Sequence, residues 1–156
     1  MVACPERNGH FTSIVFGHDE MVVIAAPDHP VVKKGRFDLK LLDGLDFVSF
    51  EEGVPTGREV EGRLRRAGMK VKVTQRFDNI ETLKRAVEIG AGVSIVPRHT
   101  VEQECRARTL SCAVIDEPDW ERSIAVVYLR GRRPGRPAQK FIDILLAEHI
   151  DVPVVC

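Results

Sequence analysis

No sign of charge prevails in this 156-residue chain, where 23 Lys and Arg face 23 Asp and Glu for a formal net charge of zero. A balanced surface has no global field to hold a polyanion, so nucleic-acid binding by this stretch alone is not expected. No apolar run approaches bilayer length, and no basic segment followed by an unbroken apolar core opens the chain. Neither a membrane span nor a signal peptide is evident, which leaves the cytoplasm as the default location. The four cysteines, Cys4, Cys105, Cys112 and Cys156, form no C-x-x-C pair, which argues against a zinc knuckle and a disulfide framework. Cys105 and Cys112 read as a helix-end thiol and a strand-start thiol that do not touch, with a redox pair across the loop as the alternative. His10, His18, His29, His99 and His149 are dispersed, so no metal is assigned. No Gly-x-Ser-x-Gly elbow surrounds any serine, and Gly53 and Gly57 followed by Arg58 lack the Gly-Lys-Ser/Thr ending of a phosphate loop. These absences point away from an enzyme and from a bound cofactor.

What is present is densest between Asp78 and Pro97. Asp78 or Asn79 can cap a helix, Glu81 can complete a capping box with Asp78, and Ile80, Leu83 and Val87 recur along one helical face. Gly90 and Gly92 stop that helix. The apolar run 93–96 then fits a strand buried on both faces, ended by Pro97, which has no amide to donate. The rest of the chain alternates strands and helices as an α/β domain does. Strands are expected at 21–26, 47–50, 71–75, 113–115 and 123–129, a helical turn at 37–42, and helices ending near Ala67, over 100–106 and over 137–149. The first full helix should bury Val60, Leu64 and Ala67, expose Glu61, Arg63, Arg65 and Arg66, and close on a left-handed Gly68. The last carries the clearest stripe, Ala138, Phe141, Ile142, Leu145 and Leu146.

Two helix starts are candidate binding positions. At the first, Thr56 can cap and Glu59 can reciprocate, a purely structural capping box. The same helix start, with the Thr56 hydroxyl, Gly57 and the Arg58 guanidinium, can hold a carboxylate or other small anion. At the second, Asp78 and Asn79, with Ser94 and Pro97 beyond, would add a further electropositive helix end. Each of these has a structural reading too: Asp78 and Asn79 as ordinary caps, Ser94 as a hydroxyl bonded to neighbouring backbone. Around Trp120 the carboxylates Asp116, Glu117, Asp119 and Glu121 read as a solvated loop rather than a paired-acid site. The basic run of Arg130, Arg132, Arg133 and Arg136 has no interleaved aromatics and reads as a solvated crossing.

The pattern D-N-x-E-T-x-K-x-x-V-x-x-G-x-G-V-x-x-x-P over Asp78 to Pro97 resembles the signature of the effector-binding domain of LysR-type transcriptional regulators. Further matches keep the family's order: Ala25-Ala26-Pro27-Asp28-His29-Pro30, then Gly53-Val54-Pro55-Thr56-Gly57-Arg58, then Trp120-Glu121-Arg122 before a strand, and a final helix with Phe141-Ile142-Asp143. The resemblance implies an α/β fold of the type II periplasmic-binding-protein-like kind, with a central, mostly parallel sheet flanked by helices. It implies a fragment of that domain: a second lobe at about 27–120, with 1–26 and 121–150 as hinge strands and helix returning to a first lobe. A winged helix-turn-helix does not precede Met1, so DNA would be reached only through a domain outside this chain. The implied function is binding of a small, anionic metabolite between lobes, with Thr56, Gly57, Arg58, Asp78, Asn79, Ser94 and Pro97 as effector contacts. A solute-binding protein of the same architecture and a small enzyme using the cleft are the alternatives. The family also implies a homo-oligomeric full-length regulator, and for this stretch either a monomer or a dimer through the last helix.

Overall fold

Strand β2, Phe11–Ala25, changes character midway: exposed and half-buried positions alternate in its first half, while every residue from Met21 to Ala25 is buried. The change coincides with the passage between two compact units, one of Glu20–Trp120 and one of Met1–Asp19 with Glu121–Cys156. The structure, a computed structural model, describes residues 2–3, 9–30, 35–118 and 120–147.

In the unit Glu20–Trp120, Met21–Ala25 is the spine. It pairs antiparallel with β6 (Ser94–Pro97) on one side and with β7 (Ser111–Ile115) on the other. Short β3 (Arg36–Phe37) lies parallel to β7. A parallel pair, β4 (Asp46–Phe50) and β5 (Lys72–Phe77), joins through the Phe47–Val93 bridge beside β6. The spatial order is therefore β5-β4-β6-β2-β7-β3, and the sheet is mixed: parallel in the β5-β4-β6 stretch, antiparallel about β2. All four residues of β6 are buried, as a strand covered on both faces requires.

Period-two alternation sorts these strands into two cores. Met21, Val23, Ala25, Phe47, Val93 and Ile95 face helix α1 (Pro55–Arg66) and meet Val60 and Leu64. Val22, Ile24, Val48, Phe50 and Val96 face helix α2 (Ile80–Glu88) and meet Leu83, Ala86 and Val87, with Val101 and Leu110 flanking helix α3 (Glu102–Ala107). Helices thus cover both faces of the sheet.

Local chemistry explains most element ends. Pro55 occupies the first turn of α1, where its fixed φ suits the helix and its missing amide costs nothing. Gly68 follows α1 at φ 75° and Gly90 follows α2 at φ 85°, both left-handed. Asn79 caps α2, its Oδ1 accepting from the Glu81 amide at 2.7 Å.

Several expectations are corrected. The first-helix capping box does not form, because Pro55 starts the helix one residue before Thr56; the cap residue is Val54, with no side-chain bond, and Glu59 pairs with Arg63 at 2.7 Å. Glu81 does not complete a box either; its carboxylate lies 2.9 Å from Lys84. Ala67 is exposed, since the helix ends before its apolar face reaches the sheet. Glu61 is not a purely outward residue: it accepts from Ser49 and Arg76. Cys105 and Cys112 do meet, forming a disulfide with Cα atoms 6.2 Å apart, because α3 turns straight back into β7.

The other unit contains β1 (Val2–Ala3), the first half of β2, β8 (Glu121–Leu129) and helix α4 (Arg136–Ala147). β1 pairs antiparallel with β8, and Arg122 on β8 forms a buried ion pair with Asp19 at 2.8 Å. The apolar stripe of α4 is largely uncovered among the described residues. Ile142 alone is buried, while Phe141 and Ile144 are each 49% exposed and Leu146 41%. The stripe exists, but the described residues of this unit supply little surface to cover it. His149 and Asp119 lie outside the described residues.

Candidate functional site

The chain runs β4–α1–β5 to one side of β4 and then crosses by α2 to β6 on the other side. Strand order reverses at β4, and in open α/β sheets ligands bind outside the carboxyl ends of strands at such a point. The carboxyl ends of β4 and β5 are level, with Phe50 opposite Phe77, and the Glu51 amide donates to the Phe77 carbonyl at 2.9 Å. Two helices therefore begin at one sheet edge, α1 on one face and α2 on the other. The first turn of any helix leaves amides with no intrahelical acceptor, and its dipole favours an anion there.

Six of the seven sequence-derived candidates flank this edge. Thr56 and Gly57 are buried in the first turn of α1, and Arg58 is exposed beside them. Gly57 has a packing reason of its own: a Cβ there would stand 2.7 Å from Cβ of Phe50, so α1 can approach β4 this closely only without a side chain. Asp78 and Asn79 are exposed at the start of α2, with the Asn79 side chain spent on capping. Pro97 ends β6, in register with Met21, and its carbonyl accepts from the Thr100 hydroxyl at 2.6 Å. Ser94 stands apart. It sits at the start of β6 opposite Ile24, 1% exposed on the α2 face, and among the described residues its hydroxyl is the one buried side-chain polar atom without a hydrogen-bond partner.

Sequence reasoning missed Arg76, the charged residue that organises the edge. Its guanidinium donates to the Phe50 carbonyl at 3.0 Å and pairs with Glu61, which also accepts from Ser49 at 2.6 Å. Burial raises the Glu61 carboxyl, but the Arg76 and Ser49 hydrogen bonds outweigh it and hold Glu61 below the ordinary carboxylate range. Nothing in the local spacing marks this trio, since it joins two strands and a helix. The edge also carries Glu51, Glu52 and Asp78, all exposed. Any anion preference here therefore rests on the helix starts and Arg58 rather than on net charge.

This is an α/β arrangement of the type II periplasmic-binding-protein-like class. Residues 1–149 match the LysR substrate binding domain, and the chain belongs to that family. It is 31% identical over 148 residues to a RuBisCO operon transcriptional regulator of Allochromatium vinosum, covering 95% of this chain and 49% of that protein. The chain thus spans about half the length of that relative. Among solved structures it resembles the Synechocystis PCC6803 CcmR regulatory domain in complex with 2-PG, at TM-score 0.85 and 28% identity, covering 97% of this chain and 73% of that one. The fold also matches the effector binding domain of QuiR in complex with shikimate, at TM-score 0.80 and 18% identity, covering 92% of this chain and 67% of that one.

Proposed function

We propose that this chain is the greater part of the effector-sensing domain of a LysR-type regulator and binds a small, anionic metabolite at the β4–β5 edge. The observation that carries this reading is the start of two helices at one topological switch point, with Thr56 and Arg58 on the first and Asn79 on the second. On this reading Glu20–Trp120 is the second lobe, and the remaining strands and α4 belong with a first lobe. The site binds and does not catalyse, in the cytoplasm. DNA contact and homo-oligomer assembly belong to the full-length regulator, where a ligand favouring one lobe arrangement shifts the population.

The relative's ligand, 2-PG, is the first probe. Titrated into the ¹⁵N-labelled chain, it should shift the amides of 54, 56–58 and 77–81 and leave those of β7 and α4 in place, even at the weak affinity of a half-site. Thr56→Val, with a native spectrum, should weaken that titration about tenfold, the equivalent of about 1.4 kcal/mol for one lost charge-assisted bond. Shifts confined to other elements would remove this edge from the site, and an unchanged Thr56→Val titration would remove Thr56 alone.

A further inference from the structure

Away from that edge, the Cys105–Cys112 disulfide lies at the wall of a surface groove of about 560 Å³, lined also by Pro27, Asp28, Arg108, Leu110 and Ser111. Both cysteines are half-buried, packed against the α2-side core from within and open to the groove from without. Access is one condition of thiol–disulfide exchange, and the groove side of this half-buried bridge provides it. The bridge closes a short reversal, and the turn inside it holds Arg108 at φ 58°, a left-handed backbone that a long side chain disfavours. The two charges at the groove, Asp28 and Arg108, suit a small thiol peptide that itself bears ammonium and carboxylate groups.

We infer that Cys105–Cys112 is a reversible thiol–disulfide switch, addressed through this groove by a small, carboxylate-bearing thiol. A thiolate of that molecule attacks one protein sulfur and breaks the bridge, leaving a mixed disulfide and one protein thiolate, which takes up a proton. A second thiol then attacks the small molecule's sulfur, releasing the small disulfide and the second protein thiol. Two electrons pass from two small thiols to the protein, and the reverse sequence restores the bridge. The consequence reaches α2, because Glu104, beside Cys105, accepts from the buried Lys84 ammonium at 2.6 Å.

The test uses the whole 156-residue chain with Cys4 and Cys156 replaced by serine, and no effector, so its result is independent of the ligand reading. The chain is equilibrated in glutathione buffers from fully reduced to fully oxidised, then trapped by alkylation and weighed. A single two-electron transition inside that range, approached equally from both directions, is expected, and Cys105→Ser should replace it with a one-glutathione adduct at Cys112. A pair that stays bridged in the most reducing buffer is a permanent staple, and one that stays open in the most oxidising buffer never forms; either overturns the switch. Arg108→Glu should slow reduction by glutathione about threefold relative to reduction by uncharged 2-mercaptoethanol. Equal slowing of both reagents would show that the groove does not select the thiol.

Discussion

A Cβ at Gly92 would overlap the carbonyl oxygen of Asp46, and the residue's φ of 148° disfavours any side chain in its own right. The overlap falls on the seam of the sheet. Asp46 accepts from the Val93 amide at 2.9 Å, and Val93 in turn accepts from the Val48 amide at 2.9 Å, so these two bonds join β4 to β6. Gly92→Ala must part that seam or strain it, and a loss of about 3 kcal/mol is expected in urea unfolding. Gly53→Ala, with open space around its Cβ, should cost less than about 0.5 kcal/mol. Equal midpoints for the two variants would show that the seam yields without cost. The Gly-x-Gly spacing correctly marks the end of a helix, but it cannot show why the second glycine is needed, because the obstructing atom belongs to another strand.

At the scale of elements, Lys84 holds α2 to α3. Its ammonium donates to Glu104 at 2.6 Å and to the Thr100 carbonyl at 3.0 Å, and lies 2.9 Å from Glu81, on a side chain only 7% exposed. Burial lowers the Lys84 value, but the Glu104 and Glu81 hydrogen bonds outweigh it and leave it raised. Burial raises Glu104, but the Lys84 hydrogen bond outweighs it and leaves it lowered. A lowered carboxyl adds stability above its unfolded value, about 4.3, that is lost as pH falls through the folded one. A raised lysine adds stability below its unfolded value, about 10.4, that is lost as pH rises through the folded one. Lys84→Met should therefore cost about 2 kcal/mol at neutral pH and flatten both limbs of the stability–pH profile. Limbs of unchanged amplitude would show that the tie contributes nothing. The sequence shows α2 clearly through Leu83, Val87 and its flanking glycines, yet Lys84 reads there as an ordinary polar-face residue. Only the packing of α3 makes it buried. The Thr56–Glu59 capping box erred for the complementary reason, because Pro55 starts α1 one residue earlier; of the two caps expected for α2, Asn79 forms, without the reciprocal Glu81 bond to Asp78.

For the molecule as a whole, hydrophobic patterning makes the alternating α/β order legible, because strand runs such as Met21 to Ala25 and Val93 to Val96 need cover on both faces. Pattern alone does not show whether that cover is present, and here the two units differ. Both core clusters lie wholly within Glu20–Trp120. Among the described residues of the other unit, Ala125 and Ile142 are the only buried hydrophobics, whereas Phe11, Val15, Leu129, Phe141, Ile144 and Leu146 are each 41–49% exposed. At about 25 cal/mol per Å² of apolar surface, stability follows what is covered, so the two units should open at different free energies. Native-state hydrogen exchange is expected to show amides of β8 and α4 opening at least about 2 kcal/mol more readily than those of β4, β6 and Met21 to Ala25. Matching protection across both sets would mean that the chain opens as one cooperative body. In that case the exposed faces of α4 and β2 would have to be covered in solution, and sedimentation of the same sample would then show an associated species that Phe141→Glu with Ile144→Glu disperses.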